Sequence, residues 1–260
     1  MATALRIARN LAWIAGFLAV WEVAVRVLGV PDYALPAPSA VGADFLKRYP
    51  RILAHAGTTI AEILGGFAIA VAVSVPLAAA IAFVPFVERR VYPAIVMFQV
   101  VPKIALAPIF VLWFGIGWTS RLLLVFLLCF FPMLVNNVAG LRGANPEILD
   151  FARTTGASAW RLFRRVRLPG ALPSIFTGLR IGAVNSVTGA IIAEFVASER
   201  GLGYLLQEYQ GNLLSGAVFA TVFVLSAVGL ALYHAVERIE RWMIPWHVAQ
   251  RADPRLSSAT

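Results

Sequence analysis

Long apolar runs, each about as long as a membrane span, alternate with short polar stretches along most of this chain. A spanning helix needs about 20 mostly apolar residues, and six runs meet that requirement: 11–28, 58–84, 92–114, 122–141, 175–197 and 215–235. The sequence therefore predicts an all-α integral membrane protein with about six transmembrane helices. No soluble domain of ordinary size fits in the remainder, so residues 1–260 are predicted to form a single membrane domain.

The composition agrees with this pattern. Apolar residues make up 60% of the chain and charged residues only 13%, about half the charged fraction of a soluble domain. Arg6 and Arg9 precede the first apolar run, as in a secretory signal. No small-residue cleavage site closes that run, and Trp21 and Glu22 continue it, so we predict that the first helix is retained as a membrane span.

Arg and Lys residues accumulate on the cytoplasmic side of short membrane loops. With both termini in the cytoplasm, 15 of them face the cytoplasm and 6 face the opposite side, while Lys103 lies within a span. The cytoplasmic set is Arg6, Arg9, Arg89, Arg90, Arg142, Arg153, Arg161, Arg164, Arg165, Arg167, Arg180, Arg238, Arg241, Arg251 and Arg255. Because these charges lie on separate loops, the net charge of +9 indicates membrane topology and not a nucleic-acid partner.

Two connections on the opposite side have a character of their own. Three prolines favour an extended link at 31–38, followed by a short amphipathic helix capped by Ser39; a solvated loop is the alternative. The apolar side chains predicted to face lipid in this helix are Val41, Phe45, Leu46, Ile52 and Leu53. The glycine-containing stretch 198–214 is predicted to be a re-entrant or docking element.

A polar and basic island interrupts the apolar pattern between the fourth and fifth runs. Asn145 is a suitable N-cap, and Glu147 would lie near the positive end of the helix that follows. Gly156 is expected to end this helix in a left-handed conformation, and Ser158 to cap a second helix. We expect the second helix to stop at Pro169 and to carry Trp160 and Phe163 on one face.

The register of this island resembles the cytoplasmic coupling loop of bacterial ABC importer permeases. That loop has the pattern E-A-A, three residues, G, nine residues, then I-x-L-P. The corresponding residues here are Asp150, Phe151, Ala152, Gly156, Val166, Arg167, Leu168 and Pro169. The spacing fits throughout, with Asp in place of Glu, Phe in place of the first Ala and Val in place of Ile.

Further segments resemble the permease subfamily for sulfonates, taurine, nitrate and related small solutes. They are ALPAPSAV at 34–41, VPKIALAPIFVLWFGIG at 101–117, LPGALPSIFTGLRIG at 168–182, and AEF followed by GLGYLL within 193–206. The resemblance implies a type I ABC importer permease fold in the bacterial cytoplasmic (inner) membrane. It also implies a second permease copy in a homodimer, cytoplasmic ATPase subunits that use ATP and Mg, an extracytoplasmic solute-binding protein, and surrounding membrane lipid.

The chain itself has no nucleotide-binding loop, because GGFAIA at 65–70 lacks the Lys and Ser/Thr that such a loop requires. We therefore expect no enzymatic activity, no catalytic residues and no bound cofactor or metal. By the resemblance, the ATPase contact falls on Asp150, Ala152, Gly156, Leu168 and Pro169, where small side chains allow close approach.

Polar side chains within spans are candidates for a translocation path. They are Gln99, Lys103, Asn136, Asn137, Asn185, Ser186, Thr188 and Glu194. Lys103 is consistent with an anionic substrate and equally with a structural partner such as a carboxylate or a helix carbonyl. Gly178 and Gly182 form a close-packing pair that serves either a dimer interface or packing within one subunit.

Two other classes of protein fit the sequence less well. An ion-coupled secondary transporter often has related halves, which we do not find, and it would leave the island unexplained. An intramembrane enzyme would need a catalytic set, and the three histidines have no spacing typical of a metal site or triad. For the solute, the subfamily suggests an organic anion such as an alkanesulfonate or taurine, with nitrate, bicarbonate or a vitamin precursor as alternatives.

Overall fold

The computed structural model describes residues 2–154 and 156–246, and within these ranges the chain is helical, with no strand. The α-helices, in chain order, are α1 (Ala2–Val27), α2 (Pro38–Phe83), α3 (Pro85–Val100), α4 (Ala107–Phe114), α5 (Trp118–Arg142), α6 (Pro146–Thr154), α7 (Ala159–Leu162), α8 (Leu168–Ala197), α9 (Leu202–Gly211) and α10 (Ser215–Met243). A 3-10 turn (Lys103–Leu106) precedes α4, and a π-helical segment (Phe163–Arg167) joins α7 to α8.

Four helical stretches in the described part of the chain are long and apolar enough to cross a membrane: Pro38–Phe83, Trp118–Arg142, Trp160–Ala197 and Ser215–Met243. A fifth candidate is the pair formed by α3 and the segment Lys103–Phe114, which is bent by 92°. These five overlap five of the six predicted runs. The first predicted run is helical in α1, and its role as a sixth span stays a prediction.

The described residues fall into two compact units. The first takes those within Met1–Thr59 and Glu199–Ala227. In this unit the Glu22 carboxylate accepts hydrogen bonds from the Ser39 backbone N–H at 3.0 Å and from its hydroxyl at 2.7 Å. The predicted lipid-facing set is wrong in part, because Val41 and Ile52 are buried whereas Leu46 and Leu53 are exposed.

The second unit takes the described residues within Ile60–Ser198 and Val228–Thr260, and its core is the packing of α5 against α8 and α2. Glycines permit the close approach: a Cβ on Gly189 would lie 2.9 Å from the Val125 Cα, and one on Gly178 would lie 3.2 Å from the Met133 carbonyl oxygen. A Cβ on Gly182 would meet the Met133 side chain. The pair Gly178 and Gly182 therefore serves packing within this chain.

Helix α2 continues where the sequence predicted a break. Residues 38–83 form one helix and not a short amphipathic helix followed by a separate span, since only Pro50 and Pro76 interrupt a stretch of otherwise helix-compatible residues. Ser39 does not cap it, because its side chain bonds Glu22 instead.

Because Gly189 packs closely against α5, a larger residue at this position should lower the stability of the protein. We expect Gly189→Ala to destabilise the protein by about 1–3 kcal/mol, the usual range for overpacking, because the new methyl group would press on the α5 backbone. A Cβ on Gly170, which lies on the same helix, would meet no atom of the described chain within 4 Å. Gly170→Ala should be neutral or stabilising, since alanine restricts the unfolded chain. Thermal unfolding of the purified full chain in detergent compares the two, and equal effects would contradict this account.

Candidate functional site

The helix α6 and the turn after it have the local geometry that the sequence predicts. The Asn145 side-chain oxygen accepts a hydrogen bond from the Glu147 N–H at 2.8 Å, which confirms the N-cap. Gly156 has φ +75°, a left-handed conformation that side chains with a Cβ rarely adopt. The Ser158 hydroxyl accepts a bond from the Arg161 N–H at 3.4 Å at the start of α7. Two short helices therefore meet at a turn fixed by Gly156.

The segment containing α6 and α7 exposes large apolar side chains on an otherwise polar stretch. Phe151 is 72% exposed, Trp160 is 67% exposed and Ile148 is 53% exposed. The rings of Trp160 and Phe163 lie 5.5 Å apart, as expected for neighbours on one face. Exposed apolar patches of this kind mark sites of protein or membrane contact.

Of the five predicted coupling residues, Asp150 is exposed, Ala152 is half-buried and Gly156 is exposed. A Cβ on Gly156 would meet no atom of the described chain within 4 Å. Free space beside a left-handed glycine leaves room for a second surface to approach the turn closely.

Leu168 and Pro169 do not end a helix, which corrects the prediction for this position. Residues 160–197 form one continuous helical stretch, with Pro169 in the first turn of α8. The preceding π-helical segment shifts the hydrogen-bond pattern from i→i+4 to i→i+5. Within this continuous stretch Pro169 has no N–H to donate to the preceding turn, and the irregular π-helical segment directly before it is where the helix accommodates the proline.

The eight translocation-path candidates do not share one environment. Asn137, Ser186 and Glu194 are fully buried within the chain. The half-buried members are Gln99, Lys103, Asn136 and Asn185, and Thr188 is exposed. The Ser186 hydroxyl donates to the Ala183 carbonyl at 2.7 Å, and the Asn136 amide donates to the Pro132 carbonyl at 2.8 Å. Several of these polar groups thus have partners on their own helix.

Lys103 also has partners within the chain. Its Nζ donates a hydrogen bond to the Gln99 carbonyl oxygen at 3.0 Å and lies 5.2 Å from the centroid of the Phe131 ring. A helix carbonyl and an aromatic face both stabilise an ammonium group. These contacts favour the structural interpretation of Lys103 over a cation waiting for an anionic substrate.

A cluster of charged side chains lies at the start of α5. Of its members, only Glu194 is among the path candidates predicted from the sequence. The Arg121 Nη1 donates hydrogen bonds to the Glu62 carboxylate at 2.5 Å and to the Ser198 hydroxyl at 2.7 Å. The Arg121 Nε donates to the Gly117 carbonyl at 3.1 Å. One guanidinium thereby joins α2, α5 and the C-terminal end of α8.

Both acidic side chains of this cluster are buried. Glu62 and Glu194 have no exposed surface, and their carboxyl groups lie within hydrogen-bonding reach of each other. The sequence contained a signal, because an ionisable residue within a span requires a partner. The charge distribution places Arg121 among the six Arg and Lys residues of the side opposite the cytoplasm, and only the packing of α2 against α5 shows that it is this partner.

A second polar group lies in the first unit, around α9. The Tyr209 ring lies 5.9 Å from the Arg48 guanidinium and 6.0 Å from that of Arg51, and Arg51 pairs with Glu208 at 2.7 Å. Burial raises the pKa of the Tyr209 phenol, and the two arginines oppose this shift. The helix α9 buries Leu202, Leu205 and Tyr209, as expected for a docked element and not for a bare loop.

Comparison with known proteins gives a consistent result. Residues 70–245 match the family described as binding-protein-dependent transport system inner membrane component. The formylaminopyrimidine transport permease of Halalkalibacterium halodurans is 36% identical over 234 residues, covering 90% of this chain and 93% of that protein. The riboflavin transport system permease of Chloroflexus aurantiacus is 33% identical, and the match covers 89% of this chain and 87% of that protein. The taurine transport system permease of Escherichia coli is 30% identical, and the match covers 90% of this chain and 88% of that protein.

The buried pair of Arg121 and Glu62 predicts a strong stability effect. Arg121→Gln should destabilise the protein by about 3–5 kcal/mol, because it leaves a buried carboxylate without its counter-ion. The double variant Arg121→Gln/Glu62→Gln should recover part of this loss, since both members of the ion pair are removed while Glu194 stays in the cluster. Thermal unfolding of the purified full chain measures both effects.

A matched control for this prediction is Arg241→Gln, which removes a guanidinium that is 62% exposed from its pair with Glu237. Exposed ion pairs contribute little to stability, so this variant should unfold close to the wild-type temperature. If Arg121→Gln and Arg241→Gln lower the unfolding temperature equally, the buried cluster contributes no more to stability than an exposed ion pair does.

Proposed function

This chain belongs to the family of binding-protein-dependent transport system inner membrane components. We propose that two copies of it form the membrane part of an ABC importer and enclose the solute path between them. It is the permease subunit, and a separate ATPase subunit hydrolyses ATP. The proposal assigns the segment containing α6 and α7 to the cytoplasmic side, where it contacts the ATPase. Both termini would then also be cytoplasmic, although Arg251, Arg255 and the C-terminus lie outside the described residues.

The exposed apolar side chains and the open glycine turn support an ATPase contact at this segment. Phe151 and Trp160 present exposed apolar surface, so a partner groove with apolar walls would complement them. The helical continuity from 160 to 197 gives such a contact a direct mechanical connection to the membrane. Movement of the ATPase would then tilt α8 as one body.

The turn at Gly156 provides the test of coupling. Gly156→Leu should leave the permease in the membrane but abolish binding-protein-stimulated ATP hydrolysis, because the side chain would occupy the space that the ATPase needs. Gly156→Asn tests backbone strain separately, since asparagine tolerates the left-handed conformation better than leucine. Membrane levels, copurification of the ATPase and stimulated hydrolysis are the measurements.

The two variants at Gly156 separate the possible causes. Loss of coupling in both would indicate a contact that admits no side chain, whereas loss in leucine alone would indicate backbone strain, because asparagine is close to leucine in size and tolerates the left-handed conformation better. Wild-type hydrolysis and uptake in Gly156→Leu would exclude this turn as the coupling contact.

A homodimer is the second part of the proposal, and the exposed face of α8 supports it. Ile181, Val184 and Phe195 are 40%, 52% and 41% exposed, at spacings that place them along one side of the helix. Thr188 is exposed on the same side, and Asn185 beside it is half-buried. An apolar stripe that carries two polar groups is suited to lining a solute path between two copies.

For the solute, we favour a vitamin precursor over an organic anion. The formylaminopyrimidine and riboflavin permeases are more similar to this chain than the taurine permease is. A cation within a span, Lys103, would suit an anionic solute, but that side chain has a carbonyl and an aromatic ring as partners. A neutral heteroaromatic solute needs no free cation in the path.

Solute choice is tested by stabilisation of the cognate solute-binding protein. We expect formylaminopyrimidine or riboflavin to raise its melting temperature by several degrees, since a ligand at about 100 times its Kd stabilises the folded state by about 2.7 kcal/mol. Taurine, an alkanesulfonate and nitrate form the comparison set. Stabilisation by an alkanesulfonate alone would contradict our choice and restore the organic anion.

A further inference from the structure

A large groove opens where the last turns of α2 face α7 and the π-helical segment. Its volume is about 760 Å3, and the residues that line it are Ala79, Ala80, Phe83, Val84, Ala157, Trp160, Leu162, Phe163 and Arg167. This volume falls within the range of about 300–1,000 Å3 typical of ligand sites. All but one of the lining side chains are apolar, so the groove suits an apolar body with one polar end.

One wall of the groove belongs to the apolar part of a spanning helix. The sequence from Ile63 to Val87 contains no charged residue, and α2 is long and apolar enough to cross a membrane. Ala79, Ala80 and Phe83 therefore lie at the depth of the hydrocarbon or at its edge. Apolar residues at this depth favour a lipid chain over a soluble protein as the occupant.

The other wall carries positive charge. Arg167 places its guanidinium carbon 5.2 Å from the centroid of the Phe83 ring, and its buried Nε has no hydrogen-bond acceptor among the described residues. Arg161, Arg164 and Arg165 are exposed on the same short stretch. The Arg167 side chain as a whole is half-buried, so the rest of its guanidinium can donate charge-assisted hydrogen bonds to a negatively charged oxygen in the groove.

We propose that this groove binds one anionic phospholipid, with an acyl chain along Phe83, Val84 and Phe163 and the head-group phosphate at Arg167. The apolar lining and the single half-buried arginine together match the two parts of such a lipid. Basic sites at the ends of membrane helices recognise anionic head groups by this combination of contacts. The lipid would join the end of α2 to the helix that continues into α8.

Lipid binding at this groove is first measured on the permease alone, and the ATPase subunit is added afterwards because Trp160 lines the groove and also belongs to the proposed ATPase contact. The purified full-length permease is released from detergent micelles in native mass spectrometry after incubation with phosphatidylglycerol, phosphatidylcholine or glycerol 3-phosphate. We expect one retained phosphatidylglycerol per chain. Its affinity should be about fivefold higher than that of phosphatidylcholine, which is the gain in affinity that one cation near an anionic head group provides. Glycerol 3-phosphate alone, without acyl chains, should give no retained adduct.

Variants separate the groove from general lipid contact. Arg167→Gln should lower phosphatidylglycerol retention about fivefold, to the level of phosphatidylcholine, while Arg167→Lys should keep most of it. Arg238→Gln is the matched control, since Arg238 is an exposed arginine of α10 that does not line the groove. Ala80→Phe should reduce retention of both lipids by filling the groove, with circular dichroism as the check that each variant is folded.

Four outcomes would overturn the proposal. Equal retention of the two lipids by the wild type would remove the role of charge, and equal losses in Arg167→Gln and Arg238→Gln would indicate non-specific surface lipid. Retention of glycerol 3-phosphate as strong as that of the lipid would indicate a phosphate site only. Displacement of the lipid when the ATPase subunit is added would assign the groove to the ATPase.

Discussion

The close approach of α5 and α8 is the contact on which the second unit depends. In a bilayer, helices gain little from hydrophobic association, so they are held by van der Waals packing between small residues and by hydrogen bonds. Gly178 and Gly189 allow the α8 backbone to lie so close to α5 that an added methyl group would displace its neighbours. This contact fixes the register in which Glu194 and Ser198, near the end of α8, meet Arg121 and Glu62.

The continuity of α8 with the polar segment before it gives that contact a mechanical consequence. The helical stretch from 160 to 197 has 38 residues and is therefore about 57 Å long. One end carries exposed Trp160, and the other ends at the charged cluster. A π-helical segment lies between them at 163–167, and such segments often occur where a helix has a functional role. A push on the exposed end thus reaches the cluster through one element, with the π-helical segment as the natural place for bending.

Local features of the fold were predictable from the sequence, and features that depend on contacts between helices were not. The cap at Asn145 and the left-handed Gly156 follow from side-chain chemistry and backbone sterics over a few residues. The passage of the helix through Pro169 was missed because a π-helical turn is not encoded in the hydrophobic period. The burial of Val41 and Ile52 is not predictable for a related reason. The hydrophobic period identifies the apolar face of a helix, but it does not say whether lipid or another helix contacts that face.

The polar side chains within the spans show why a path is harder to predict than a fold. A buried polar group must be paired whether or not a solute passes, because the bilayer interior supplies no water to satisfy it. Ser186 and Asn136 meet this requirement on their own helix, and Lys103 does so with a carbonyl and an aromatic ring. Polarity within a span is therefore explained first by internal pairing. Among the eight candidates, Thr188, exposed on the apolar stripe of α8, has the placement that a solute path requires in addition to the polarity.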